Sequence, residues 1–227
     1  MHSREKVISL LVQKITALQR PHPVRVAING RIASGKTTFA TELALAIEEH
    51  GRPVLHVGVD GFHNPSAVRH RKGRASARGY YEDAYDLAAV RRRLLQPLGL
   101  VNESDEASWQ VQTGSLDLES DRPLNPEPIS VTRDTILIVD GSFLLASVLR
   151  DAWDFTVFLD VSRNVATERG AQRDAPRLGS LAIARDLHEK RYQAACDLYF
   201  QEIRPDLMAQ VVIANDDFLH PKFRDIS

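Results

Sequence analysis

Residues 30–38 read Gly-Arg-Ile-Ala-Ser-Gly-Lys-Thr-Thr, which satisfies G-x-x-x-x-G-K-[ST] at every required position. The segment lies directly after an apolar run (Val24, Val26, Ala27, Ile28) and before a helical pattern (Phe39, Leu43, Ala44, Ile47). That order has a physical purpose. A strand delivers the chain to a tight loop, whose unpaired N–H groups then face an anion at the positive end of the following helix. Glycine at positions 30 and 35 permits a backbone that a Cβ would forbid. The motif therefore predicts a nucleotide phosphate site built from Gly30, Arg31, Ile32, Ala33, Ser34, Gly35, Lys36, Thr37 and Thr38. Lys36 would reach the β- and γ-phosphates of ATP, and the Thr37 hydroxyl would be offered to Mg²⁺.

The rest of the chain alternates strand and helix patterns. Apolar residues 53–59 read as a strand ending at Asp60, and 135–139 and 155–159 as short strands buried on both sides. Residues 85–98, 142–153, 164–174 and 181–200 read as helices, with Pro176 and Gly179 breaking the chain between the last two. Residues 211–214 read as the last strand. Val7, Ile8, Leu11, Ile15 and Leu18 recur at helical spacing, so residues 1–20 predict an amphipathic helix covering the sheet. Residues 99–133 break the rhythm with Pro123, Pro126 and Pro128, yet Trp109, Val111, Leu116 and Leu118 alternate with polar neighbours and predict a hairpin flap. The fold class expected is α/β, a P-loop NTPase-type three-layer sandwich on a mostly parallel sheet, in one domain spanning 1–227. Ligands then belong at the C-terminal strand ends.

Composition narrows the partners. Lys+Arg and Asp+Glu nearly cancel to a formal charge of −1, which gives no general electrostatic case for nucleic acid or acidic membranes. A single cysteine, Cys196, excludes an intrachain disulfide framework and fits the reducing cytoplasm. No apolar run approaches a membrane span, and residues 1–20 lack the core of a secretory signal.

Two carboxylates stand at expected strand ends. Asp60, in Val59-Asp60-Gly61-Phe62-His63, suits a general base or a group that orients an attacking hydroxyl. Asp140, in Val139-Asp140-Gly141, stands where a Walker-B acid would hold Mg²⁺ with Thr37. No N-K-x-D motif for guanine is present, so a GTPase is disfavoured; a small-molecule kinase fits better, with a regulatory ATPase as the rival from another class.

The series Gly30–Thr38, Val59–His63, GYYEDAYDL at 79–87, ILIVDGSFLL at 136–145, and FLDVS and ERGAQRD within 158–174 resembles the uridine kinase and phosphoribulokinase family over residues 22–216. The resemblance implies ATP·Mg²⁺-dependent phosphoryl transfer to a small-molecule hydroxyl, in uridine kinases the 5′-OH of a pyrimidine nucleoside. It implies Asp60 as catalytic base and Asp140 where many members carry glutamate. It further implies an arginine lid at 163–180, in which Arg169 and Arg173, four apart on one helix face and with Arg177 nearby, meet the transferring phosphoryl group. The family's ribose-binding aspartate falls on Tyr80, so acceptor contacts are expected from His63, Tyr81 and Asp83, and from Arg78 in the basic stretch 69–78. Pantothenate or a sugar phosphate stays open as acceptor. Nothing in the sequence decides between a monomer and a homo-oligomer.

Overall fold

The apolar runs at 24–30 and 136–141 leave no side free for water, so both faces of any sheet they form must be covered. In the computed structural model, which describes residues 3–99 and 108–224, that cover is found on each side. The start of the expected N-terminal helix (1–2) and part of the expected flap (100–107) lie outside the described residues. Among the described residues the strands are β1 Val24–Gly30, β2 Val54–Gly58, β3 Ser108–Val111, β4 Leu116–Asp117, β5 Arg122–Pro123, β6 Ile129–Thr132, β7 Ile136–Gly141, β8 Phe155–Asp160, β9 Val211–Ala214 and β10 Lys222–Arg224.

Six strands make one sheet in the order β10-β9-β8-β1-β7-β2. All pair in parallel except β10, which returns antiparallel along β9. Alternate residues feed two cores. Val24, Val26 and Ile28 of β1, with Ile136 and Ile138 of β7, pack under the helices Ser3–Thr16 and Lys36–Glu49. Ala27, Leu137, Val139 and Phe158 point the other way, toward Leu94, Leu98, Leu145 and Tyr199. The α/β class with a mostly parallel, helix-covered sheet is the one the sequence implies.

Several local expectations change. Residues 142–153 are not a helix: turns lead into a short 3₁₀ segment, Arg150–Ala152. Phe143 sits at φ 68, a left-handed conformation incompatible with an α-helix, and packs its ring against Tyr81, Tyr85 and Tyr199. The helix expected to end near Asp174 runs on as Arg163–Leu178, through Pro176. A proline so close to the end forfeits one backbone hydrogen bond, and the chain turns at Gly179 instead. Two stretches, Arg91–Leu95 and His188–Gln193, widen into π-helix inside longer helices.

Residues 108–132 form two small ladders, β3 with β6 and β4 with β5. They bury Trp109, Val111, Leu116 and Val131. Ser115 N donates to Gly61 O at 2.8 Å, which seats this segment on the turn just after Asp60.

Candidate active site

The phosphate loop leaves β1 at Gly30 and enters the helix at Lys36. Its curvature comes from Ala33 at φ 64 and Gly35 at φ 87, a pair of left-handed residues that turns successive N–H groups inward. The Arg31 side chain points away from the loop mouth, paired with Asp197 at 2.7 Å and stacked on Phe200. Lys36 is buried, and its Nζ donates to Arg31 O at 2.6 Å. Burial draws its pKa below the ordinary lysine value, against the nearby Cys196, Asp140 and Asp60. Asn215, buried after β9, braces the loop by donating to Ser34 O at 2.9 Å.

Parallel register brings the next groups to the same edge. β1 lies between β7 and β8, so Asp140 at the end of β7 falls beside the loop. Thr37 Oγ1 donates to Asp140 Oδ2 at 2.6 Å, and His56 Nε2 meets Asp140 Oδ1 at 2.8 Å. The first contact joins two residues that the sequence singles out; His56, on β2, escapes sequence reading because its partner lies across the sheet. A hydroxyl and a carboxylate this close are hard oxygen donors suited to Mg²⁺, which completes its shell with water and substrate phosphates. The pair therefore fits the ion.

Asp60 occupies a 3₁₀ turn, Val59–Phe62, one strand further out. Its carboxylate is exposed to the cavity and accepts from Tyr85 OH at 3.1 Å on Oδ1. Tyr85 OH is in turn 3.3 Å from Tyr80 OH. Burial raises the pKa of both phenols, so each remains a proton donor through the neutral range. His63 Nδ1 faces its own turn's carbonyl, Asp60 O, at 2.8 Å, and its ring lies 4.4 Å from that of Tyr85. Burial lowers its pKa, which favours a neutral ring protonated at Nδ1, with Nε2 as acceptor.

These groups line a cavity of about 470 Å³ that also reaches Arg173 and Arg177. Arg169 and Arg173 border an adjoining groove of about 450 Å³ beside Gly35, Lys36, Thr37 and Thr38. Arg169 is held by Asn215 O at 3.0 Å and Asp216 O at 2.7 Å, and Arg173 by Asp174 at 2.9 Å. Of the acceptor residues expected from the sequence, only His63 lines the main cavity. Asp83 is buried under Arg71 and Lys72, Arg78 pairs with Glu202 at 2.7 Å, and Tyr81 packs on Phe143. Tyr80, Tyr85 and Tyr192 take their place in the lining, which short-range sequence spacing does not reveal.

Among the described residues no helix is long and apolar enough to cross a membrane. No family model matches the chain. A uridine kinase of Lactobacillus helveticus is 26% identical over 158 residues, 69% of this chain and 70% of its own length. Uridine-cytidine kinase B of Dictyostelium discoideum is 26% identical over 181 residues, 78% of this chain and 70% of its own. Among solved structures, a possible uridine kinase from Bacillus stearothermophilus matches with a TM-score of 0.68 at 22% identity, covering 92% of this chain and 97% of that one. Phosphoribulokinase from Rhodobacter spheroides shares the fold at a TM-score of 0.54 and 14% identity, over 86% of this chain and 71% of its own. On sequence and fold together, the chain is a uridine kinase- and phosphoribulokinase-like P-loop kinase.

Proposed function

We propose that the protein transfers the γ-phosphoryl group of ATP to a hydroxyl of a small molecule bound between Asp60 and the tyrosines. The observation that carries this reading is the placement of Asp60. An exposed carboxylate, fixed on one oxygen by Tyr85, opens into the same cavity as Lys36, Thr37 and Asp140. A nucleotide sensor or switch has no use for such a group.

In this reading the loop amides and Lys36 hold the ATP phosphates. Thr37 and Asp140 would hold Mg²⁺, which when bound neutralises charge on the phosphates. Asp60 aligns the acceptor hydroxyl through Oδ2 and takes its proton as the new O–P bond forms; Tyr85 keeps the carboxylate from rotating. Arg173 faces the cavity from the helix Arg163–Leu178 and meets charge spreading over the transferring group, with Arg169 on the nucleotide side. Water kept out of this space spares ATP from hydrolysis.

Uridine and cytidine are the acceptors that the relatives' names support, and they head the assay. Coupled ADP release with ATP·Mg²⁺ against a panel of hydroxyl compounds tests the reading. One of them should give acceptor-dependent turnover, and Asp60→Asn should lower it by about 10²–10⁴-fold with ATP binding kept. Full turnover in Asp60→Asn would remove Asp60 from this role.

A further inference from the structure

Beside the main cavity lies a second one of about 610 Å³, and the two share His63, Tyr80, Leu118, Arg177 and Tyr192. Its polar wall is cationic: Arg69, His70, Arg177 and Arg191 face it, with Glu119 the acidic residue in the lining. These cations differ in how they are satisfied. Arg69 pairs with Asp121 at 2.8 Å. Arg177 and Arg191 have no carboxylate partner among the described residues. Arg191 lies over the rings of Tyr80 (5.1 Å) and Tyr192 (5.4 Å), and its buried Nε has no hydrogen-bond partner. A guanidinium stacked on two tyrosines, with a buried Nε and no carboxylate partner, is partly desolvated and held in orientation, which favours specific anion capture. His70 reports the same field: burial first, then the Arg74, Arg191 and Arg69 charges, lower its pKa.

We propose that this second cavity is the acceptor's anion subsite: Arg191 and Arg177 bind a carboxylate or phosphate monoester on the acceptor while its hydroxyl faces Asp60. The proposal rests on the phosphoryl-transfer reading above and narrows its substrate to an anionic hydroxyl compound. The shared lining makes the geometry continuous, because a molecule spanning both cavities passes Tyr80 and Tyr192 with its anionic end on Arg191. A neutral nucleoside would leave both guanidinium groups unmatched. Arg69, through Asp121, also ties this wall to the segment carrying Leu118, which roofs both cavities.

The test measures acceptor-dependent ADP release on the full chain with pantothenate, ribose 5-phosphate, uridine and cytidine. An anionic acceptor should be preferred, and pantothenate against ribose 5-phosphate tells carboxylate from phosphate. Arg191→Gln and Arg177→Gln should each raise KM for that acceptor by about 10- to 100-fold, with KM for ATP little changed. Because Arg191→Gln could disturb the tyrosine packing, the exposed Arg177→Gln serves as the independent variant. Turnover confined to uridine or cytidine and indifferent to both substitutions would overturn the anion subsite and leave the kinase reading intact. ADP release with no acceptor dependence would defeat the kinase reading instead. The subsite is then judged by thermal unfolding with ribose 5-phosphate or pantothenate alone: a stabilisation abolished by Arg191→Gln supports it, and none at all overturns it.

Discussion

A methyl group added at Gly170 should unseat the anchor of the arginine-bearing helix. A Cβ built there would lie 2.1 Å from His188 Cε1 and 2.3 Å from its Nδ1, inside any tolerable contact. The ring cannot retreat: His188 is 0% exposed, packs 4.9 Å from Tyr192, and its Nε2 meets Asp174 Oδ2 at 2.8 Å. Forcing it out costs about 1–3 kcal/mol in overpacking. It also loses a charge-assisted hydrogen bond worth about 1.5–3 kcal/mol. The gain in helix propensity from Gly to Ala offsets about 1 kcal/mol. Gly170→Ala should therefore destabilise by roughly 3 kcal/mol, on the order of a 6–12 °C drop in Tm for a domain of this size. Asp174 also braces Arg173, so activity should fall with stability. Urea and thermal unfolding of Gly170→Ala, His188→Ala and the double variant form the assay. With the ring gone, the added methyl should be neutral or stabilising by about 1 kcal/mol. A Gly170→Ala protein as stable as the parent, or one that loses equally in both backgrounds, would refute the packing argument.

Two further outcomes follow from single contacts. His56 holds Asp140 Oδ1 and leaves Oδ2 to Thr37, so on the reading that this pair holds Mg²⁺, His56→Ala should raise the Mg²⁺ requirement of ADP release by about 10–100-fold; an unchanged Mg²⁺ titration would show the histidine to be a bystander. The carboxyl of Asp174 is pushed up by burial, but the Arg173 and His188 contacts outweigh that and hold it at about 2, below its ordinary 3.8. A depressed carboxylate stabilises the fold fully above its unfolded pKa and loses that contribution as pH falls through the folded one, so urea midpoints should drop between about pH 4 and pH 2. Asp174→Asn should flatten that part of the profile, and identical slopes in the two proteins would contradict it.

What the sequence makes legible is what is local. The phosphate loop is a contiguous pattern, and Asp60 and Asp140 follow directly from apolar strands that end in a carboxylate. Misreadings arise where spacing imitates another structure. Leu144, Leu145 and Leu149 sit at helical intervals in 142–153, yet they are buried from a run of turns, because Phe143 takes a left-handed backbone to reach the tyrosines. The strand β10 is three residues long and carries no pattern of its own. His56, Tyr192 and Arg191 escape for a different reason: each acquires its role from a partner distant in sequence, and the last two lie in a π-helical stretch that shifts residue faces away from the 3.6 period.

Charge shows most clearly why a formal balance of −1 says little about what the site binds. The basic run at 69–78 is the conspicuous cationic feature of the sequence, and most of it is spent locally: Arg69 on Asp121, Arg71 on Asp83, Lys72 on Glu82, Arg78 on Glu202. Those pairs fasten the loop to its own helix, to the neighbouring segment carrying Leu118 and, through Arg78, to the helix Ala194–Ile203, and the partly exposed ones add little stability. The two guanidinium groups of the second cavity that have no carboxylate partner among the described residues, Arg177 and Arg191, come instead from the lid helix Arg163–Leu178 and the π-helical stretch His188–Gln193. An ion pair already made is a poor ligand site, because an incoming anion must displace a carboxylate held at no translational cost. A cation without a carboxylate partner faces no such competitor. Selectivity for the acceptor should therefore track the unpaired arginines and be nearly indifferent to the run of basic residues that first draws the eye.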